Sequence, residues 1–281
     1  MRLAIFADVH GKLLLPFKLV DLYQQQTGKK IDFILQCGDM GAYPDLHNLD
    51  KATLKHARHN RDELGFHDHF VKEDKTIRQW LDQLNIDMIC VRGNHEDHDF
   101  LDKLEQEHAR QPRFPIDIYQ RIFVCRSGIK QELRTPDEVI RLVGIGRIGD
   151  AKGRTDKRFI QEYEQREIKK LLKTNDAIDV LITHDKDDSS ERGYGMRAIR
   201  EVLDNVPVRY HFYGHTGEPF RQEQDLNGIT RSVKVSELEY GSTGILPEGS
   251  MLILEYSKEE LQLEVVSQRF TNQLTQYNWR D

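Results

Sequence analysis

Long apolar runs are missing from this 281-residue chain. No stretch reaches the roughly 20 consecutive apolar residues that a membrane-spanning helix needs, so no membrane partner is expected. The opening run Arg2-Leu3-Ala4-Ile5-Phe6-Ala7-Asp8 already reads as a buried strand, so no leader peptide is expected ahead of it. Cysteine is scarce. Cys37, Cys90 and Cys125 are odd in number and widely spaced, which argues against a disulfide framework and for buried thiols in a reducing compartment. The cytoplasm is the expected location. A basic excess is lacking as well: 41 Lys and Arg face 47 Asp and Glu, for a formal charge of −6. That excludes a global cationic footprint of the sort that non-specific nucleic-acid binders carry, although bound divalent cations would alter the balance locally. Repeats, low-complexity tracts and Pro/Gly/Ser-rich linkers are also absent, which leaves one domain over 1–281 as the expectation.

What is present is a rhythm of short apolar runs and helical stretches. Strands are expected at 2–8, 31–37 and 88–91, alternating with helices at 13–26, 76–84 and 97–108. Such alternation predicts parallel strands covered on both faces. The runs 121–127, 129–133 and 139–146 are short and tightly connected, so antiparallel pairing is expected there. Helix 158–172 leads to strand 178–183, and helix 196–203 to strand 210–213. A C-terminal region at about 230–270, with strands at 232–240, 250–256 and 261–267, again suggests antiparallel pairing. Between about 40 and 75 lies a charged segment with His47, His56, His59, His67 and His69. Its many Lys, Arg, Asp and Glu neighbours favour a solvated helical insertion over a further metal site.

Five apolar runs end in side chains suited to metals. Asp8-Val9-His10 follows the first, Gly38-Asp39 the second and Arg92-Gly93-Asn94-His95-Glu96 the third. Thr183-His184-Asp185 and Gly214-His215-Thr216-Gly217 follow two later ones. A lone strand-end histidine is more often a hydrogen-bonded structural residue than a ligand. Five together carry more weight, because the carboxyl ends of strands in an α/β sheet form one edge where ligands bind. Mixed carboxylate, imidazole and amide donors suit Mn, Fe or Zn.

In this order and spacing the motifs resemble the calcineurin-like metallophosphoesterase superfamily, from Asp8 to Gly217. The resemblance implies an α/β fold, a four-layer α/β/β/α sandwich of two mixed β-sheets flanked by helices, holding two metals. It implies that Asp8 and His10 hold the first, that Asp39 bridges both, and that Asn94, His184 and His215 hold the second. His95 would assist the leaving group, oriented by Glu96 or another carboxylate. Water activated between cations about 3.5–4 Å apart would attack phosphorus directly. Gly217 stands where the family often has a further histidine, which predicts a weaker first site.

Within the superfamily the layout is most similar to the lariat-debranching branch. The points of similarity are the run Cys37-Gly-Asp-Met-Gly-Ala-Tyr43, the long insertion before Gly93-Asn-His-Glu96, Val143-Gly-Ile-Gly-Arg-Ile-Gly149, and the stretch Tyr210-His-Phe-Tyr-Gly-His215. That branch commonly carries Cys where this chain has Asp8, so ordinary dinuclear chemistry is expected. The resulting expectation is a metal-dependent hydrolase of phosphodiesters in RNA or nucleotides. The alternatives are a phosphomonoesterase or protein phosphatase, a non-catalytic interaction module, or a regulatory nucleotide-binding protein. Among the basic residues 147–158, Arg147 and Arg154 are the candidate substrate contacts, against the plainer reading of a solvated helix start.

Overall fold

The computed structural model describes residues 1–150, 152–174, 176–187 and 194–280. Thirteen strands among them form two sheets. The first contains β1 (Arg2–Phe6), β2 (Phe33–Gln36), β3 (Asp87–Cys90), β4 (Arg113–Pro115), β5 (Ile122–Cys125), β12 (Leu252–Ser257) and β13 (Glu260–Val265), in the order β13-β12-β1-β2-β3-β5-β4. The second contains β6 (Lys130–Arg134), β7 (Val139–Ile145), β8 (Ile178–Thr183), β9 (Val208–Tyr213), β10 (Arg221–Gln224) and β11 (Arg231–Lys234), in the order β10-β11-β9-β8-β7-β6.

Side-chain alternation along the strands builds three apolar layers. Leu3 and Ile5 of β1 meet Leu142, Val180 and Phe212 between the sheets. Ala4 and Phe6 point the other way, into helices α1 (Leu14–Thr27), α3 (Gly65–Phe70), α4 (Lys75–Leu84) and α5 (His98–Glu107). Val143 and Leu181 face α6 (Glu162–Leu171) and α7 (Arg197–Asn205). The result is helices, sheet, sheet, helices, the expected four layers. Two short helices complete the chain, α2 (Lys51–Ala57) before α3 and α8 (Gln268–Thr271) near the end. Among the described residues, no helix is long and apolar enough to cross a membrane.

Strand directions depart from expectation in two places. β5 runs parallel to β3 and pairs antiparallel only with β4, a three-residue strand too short to be read from sequence. β11 runs parallel to β9, because the chain descends first along the edge as the fully exposed β10 and returns between the two. The remaining tail, β12 and β13, is antiparallel as expected. Helix α6 begins at Glu162 and not at Arg158, because the Gln161 N–H donates to Glu164 Oε2 at 2.9 Å and sets the start there. The 40–75 segment is helical as expected, but only partly solvated, since Phe66 and Phe70 reach the core. Cys37, Cys90 and Cys125 are all buried and free.

Arg147 is part of this frame, not of a substrate site. Its side chain is fully buried, with Nη2 2.7 Å from Asp102 on α5 and 3.1 Å from the Tyr163 hydroxyl. Its Nε lies 2.8 Å from buried Glu164 on α6, as an ion pair whose angle is too bent for a hydrogen bond. Arg92 shares Asp102 and adds Glu105, so two guanidinium groups tie the ends of β3 and β7 to α5 and α6. Arg154 is exposed, paired with Asp150 and seated 4.1 Å over the Phe159 ring. Buried in β9, His211 has Nε2 2.8 Å from Thr183 Oγ1, whose own proton goes to the Asp185 carbonyl at 2.6 Å.

Arg147→Met takes from buried Glu164 its one ion-pair partner among the described residues, leaves Asp102 only Arg92 and Lys157, and is expected to cost about 3–5 kcal/mol in urea unfolding, whereas Arg154→Ala leaves the midpoint in place. Equal midpoints for the two variants would show that the buried network is dispensable. Burial pushes His211 down to about 3, from an ordinary 6.5. The stability this confers is fully present above pH 6.5 and is lost as pH falls towards 3, by up to about 1.4 kcal/mol per pH unit. The acid limb of His211→Gln should therefore be shallower than that of the wild type. An unchanged slope would rule this contribution out.

Candidate metal centre

The five strand-end motifs meet at one edge of the sandwich. β1, β2 and β3 are parallel neighbours in one sheet, and β8 and β9 are parallel neighbours in the other. Each chain leaves its strand by a bend that sequence periodicity does not announce. Asp8 (φ 47°), His10 (φ 41°), Asp39 (φ 55°) and His215 (φ 64°) all take left-handed backbone, which costs a non-glycine residue roughly 1–2 kcal/mol. Main-chain hydrogen bonds hold these bends: Asp8 N–H to Gly38 O at 3.1 Å, His10 N–H to Asp39 O at 3.0 Å, and Gly214 N–H to His184 O at 3.1 Å. Two glycines make the approach possible. A Cβ on Gly93 would overlap the Asp39 carboxylate, and one on Gly38 (φ 89°) would overlap the His184 ring.

Asp39 is shared by two donor groups. Asp8, His10 and Asp39 offer ligand atoms within 4.8 Å of one another, and so do Asp39, His184 and His215. Asn94 Oδ1 joins the second group, 3.0 Å from His184 Nε2. His184 Nδ1 donates to Cys37 O at 2.9 Å, which turns Nε2 towards Asn94 Oδ1 and towards Asp39 at 3.3 Å, where it could serve as a ligand once its proton is displaced. Asp39 Oδ1 accepts the N–H groups of Asn94 (2.7 Å) and His95 (2.8 Å), and the Asp8 carboxylate accepts that of His215 at 3.1 Å.

The electrostatics favour cations. Asp8 and Asp39 are almost fully buried, and among the described residues no lysine or arginine forms an ion pair with either. Burial pushes Asp8 up to about 7. Burial would also raise Asp39, but His184, His10 and His95 hold it well below the usual carboxylate range. Burial disfavours charge on His184, yet Asp39 and Asp8 bring it up to about 10. Burial lowers His10, and it lowers His215 to about 3 with help from neighbouring His184. Two near-neutral imidazoles, an amide oxygen and two buried carboxylates fit a pair of divalent cations.

His95 stands at the open side, its ring 5.7 Å from that of His10. Its orienting carboxylate is Asp50, not Glu96. His95 Nδ1 lies 2.8 Å from Asp50 Oδ2, which also receives the Tyr43 hydroxyl at 2.5 Å and that of Thr53 at 2.9 Å. Burial works against charge on His95, but Asp50 and Asp39 raise it to about 9. Glu96 instead accepts the backbone N–H groups of Met40 and Ala42, both at 2.8 Å, and so pins the Asp39 loop to the Asn94 loop. Asp50 lies inside the irregular insertion. Its only sequence signal was that of a helix cap, with its Oδ1 accepting Ala52 and Thr53 N–H.

Neither candidate arginine reaches this centre. Lys157 and Arg158 do come near, lining with Asp50 and Asn94 a cavity of about 260 Å³ at its mouth. At Gly217 an added Cβ would meet only the Glu237 carboxylate, at 3.8 Å.

Solved structures share the architecture. TT1561 of Thermus thermophilus matches with a TM-score of 0.54 at 13% identity, over 95% of this chain and 99% of that one. A phosphatase from Mycoplasma pneumoniae matches at 0.50 and 12%, over 95% and 92%. GAP50, the anchor in the inner membrane complex of Plasmodium, matches at 0.53 and 10%, over 96% and 85%. At these identities the likeness shows the fold alone. No curated protein matches the sequence. The model of the calcineurin-like phosphoesterase family matches residues 1–219, which takes in every strand-end motif. On that match, and with the motifs gathered at one edge of the sandwich, the chain belongs to the calcineurin-like phosphoesterase family.

Proposed function

We propose that the protein hydrolyses phosphoesters with two bound cations, and that it prefers phosphodiesters of RNA or nucleotides. The observation that carries the reading is the double donor set around Asp39, with the His95–Asp50 pair beside it. One cation would sit on Asp8, His10 and Asp39, the other on Asp39, Asn94, His184 and His215. When bound, they would supply positive charge to the phosphoryl oxygens and acidify the attacking water. Mn, Fe and Zn all suit these donors.

The chain's own residues do the rest. Asp39, held by two backbone N–H groups, fixes the spacing of the two donor sets. Asp50 favours the protonated form of His95, and with Nδ1 committed to Asp50 the ring would present Nε2–H to the departing oxygen. Asp50 holds the ring in that orientation, and Tyr43 and Thr53 hold Asp50. Lys157 and Arg158 stand at the mouth, each paired with an acid (Asp99 and Asp156), and an anionic ester would compete with those carboxylates for them. No nucleophilic side chain is required.

The test compares Mn-loaded wild type with variants on bis-p-nitrophenyl phosphate, p-nitrophenyl phosphate and a dinucleotide. Asp39→Asn is expected to abolish turnover of all three. His95→Ala and Asp50→Asn should lose about 10²–10⁴-fold on the dinucleotide, whose alkoxide needs a proton to leave. The same variants should lose far less on the nitrophenyl esters, whose leaving group needs none. Wild-type rates no better than those of Asp39→Asn would overturn the hydrolase reading, and a higher kcat/KM on the monoester would overturn the diester preference.

A further inference from the structure

Helix α2 and its exit carry a charge pattern opposite to that of the chain as a whole. Between Asp50 and Asp62 there is no acidic residue, while Lys51, Lys55, His56, Arg58, His59 and Arg61 are all present, in a chain of formal charge −6. Lys51, Lys55 and Arg58 follow i, i+4, i+7 spacing, which puts them on one face of a helical turn. All three are exposed, and among the described residues none has an ion-pair partner. Arg61 is different, being held by Asp68. Unpaired like charges in a row repel one another and weaken a short helix. A local stability rationale is therefore lacking, and an anionic partner would remove the repulsion.

This helix borders two joined spaces. A narrow cleft over His10 and His95 is lined by His56, Glu63 and Glu239, and the same three residues line a cavity of about 580 Å³ beyond it. That cavity runs between α2 and the C-terminal segment, with Lys55 and His59 on one side and Tyr240, Tyr277 and Arg280 on the other. Its acids are largely answered. Lys12 lies 3.1 Å from Glu239, Arg280 pairs with Asp62, and burial raises Glu63 to about 7. One feature of its wall is open to a partner: Tyr277 is 79% exposed.

Of the three cations Lys55 lines the cavity, and Lys51 and Arg58 flank it on the same helix face. We infer that this groove and its α2 edge are a binding subsite for single-stranded nucleic acid, in which phosphates beyond the scissile one follow the edge marked by Lys51, Lys55 and Arg58 and a base stacks on Tyr277. Lys51 to Arg58 spans roughly 10 Å of helix, enough for more than one phosphate. The volume lies within the roughly 300–1,000 Å³ of small-molecule sites and exceeds what a single phosphate fills. An exposed tyrosine beside a cationic track is the combination that holds single strands without reading their sequence. The cavity shares His56, Glu63 and Glu239 with the cleft over His10 and His95, so a strand lying in it leads towards the candidate metal centre. The assignment deepens the diester reading above and rests on it for the orientation of the strand.

The test measures fluorescence anisotropy of a fluorescein-labelled ten-nucleotide RNA with the full chain in EDTA, where metal-dependent turnover cannot intervene. Wild type is expected to bind with an affinity that falls as salt rises, by about 0.7 in log–log slope for each phosphate contact. Combined Lys51→Gln, Lys55→Gln and Arg58→Gln should weaken binding at least tenfold and reduce the slope by about 2. Tyr277→Ala should weaken it about fivefold or more with the slope unchanged. Combined Arg134→Gln, Arg166→Gln and Arg197→Gln, which removes as much charge elsewhere, should do neither. No binding by wild type, equal effects of the two triple variants, or tighter binding of a phosphopeptide than of the RNA would each overturn the subsite. Failure of the hydrolase reading looks different: RNA bound through α2 and Tyr277, but no ester turned over with Mn. Turnover with RNA binding indifferent to α2 would remove the subsite alone.

Discussion

The carboxylate of Asp39 is the constraint on which the rest of the centre depends. It is buried, sits on left-handed backbone, takes two N–H groups from the Asn94–His95 turn and faces His184 from the opposite sheet. Burying such a group without a cation costs several kcal/mol, and holding its backbone there costs about one more. Gly93 exists to let it approach, and Glu96 locks its loop from behind. The fold supplies this geometry by stacking two parallel strand edges, so that five loops converge where one would not suffice.

Charge is graded outward from that point. The innermost layer is negative and poor in basic side chains, the condition under which cations are held. Around it, imidazoles take different states according to their neighbours. His215 and His10 are driven towards neutrality by burial, whereas His184 and His95 are driven towards charge by carboxylates that outweigh it. His10 and His215 are thus left neutral, His95 is favoured in its protonated form, and a cation on Asp39 would have to displace the proton from His184 Nε2 to gain that nitrogen as a ligand. At the rim charges of both signs meet: Lys157 pairs with Asp99 and Arg158 with Asp156 on one side, while Lys55 and His59 lie across from Asp62, Glu63 and Glu239 on the other.

Much of the centre was legible in the sequence, because the residues that converge there follow directly on apolar runs and strand-end position is a local property. The structure brings Asp8, His10, Asp39, Asn94, His184 and His215 together, with His95 beside them. The layers were legible for a similar reason, since alternation between faces is written into each strand. Long-range pairing was not. Nothing local distinguishes β5 beside β3 from an antiparallel hairpin, nor shows that β11 returns between β9 and β10. Asp50 was missed because it lies 45 residues from His95 in a stretch without periodicity. Arg147 was misjudged because a basic residue after a glycine-rich strand exit looks the same in sequence whether it faces solvent or, as here, Asp102 and Glu164.

The central claim is that one buried carboxylate organises two cation sites. Calorimetric titration of the metal-free protein with Mn tests it most directly, read beside elemental analysis of the loaded protein. The account predicts two Mn per chain, bound with unequal affinity, because Gly217 leaves the Asp8–His10 site with fewer protein donors than the Asn94–His184–His215 site. It further predicts that Asp39→Asn loses both sites together while the protein stays folded. Saturation at no more than one Mn in wild type, or an Asp39→Asn titration that matches wild type, would contradict it.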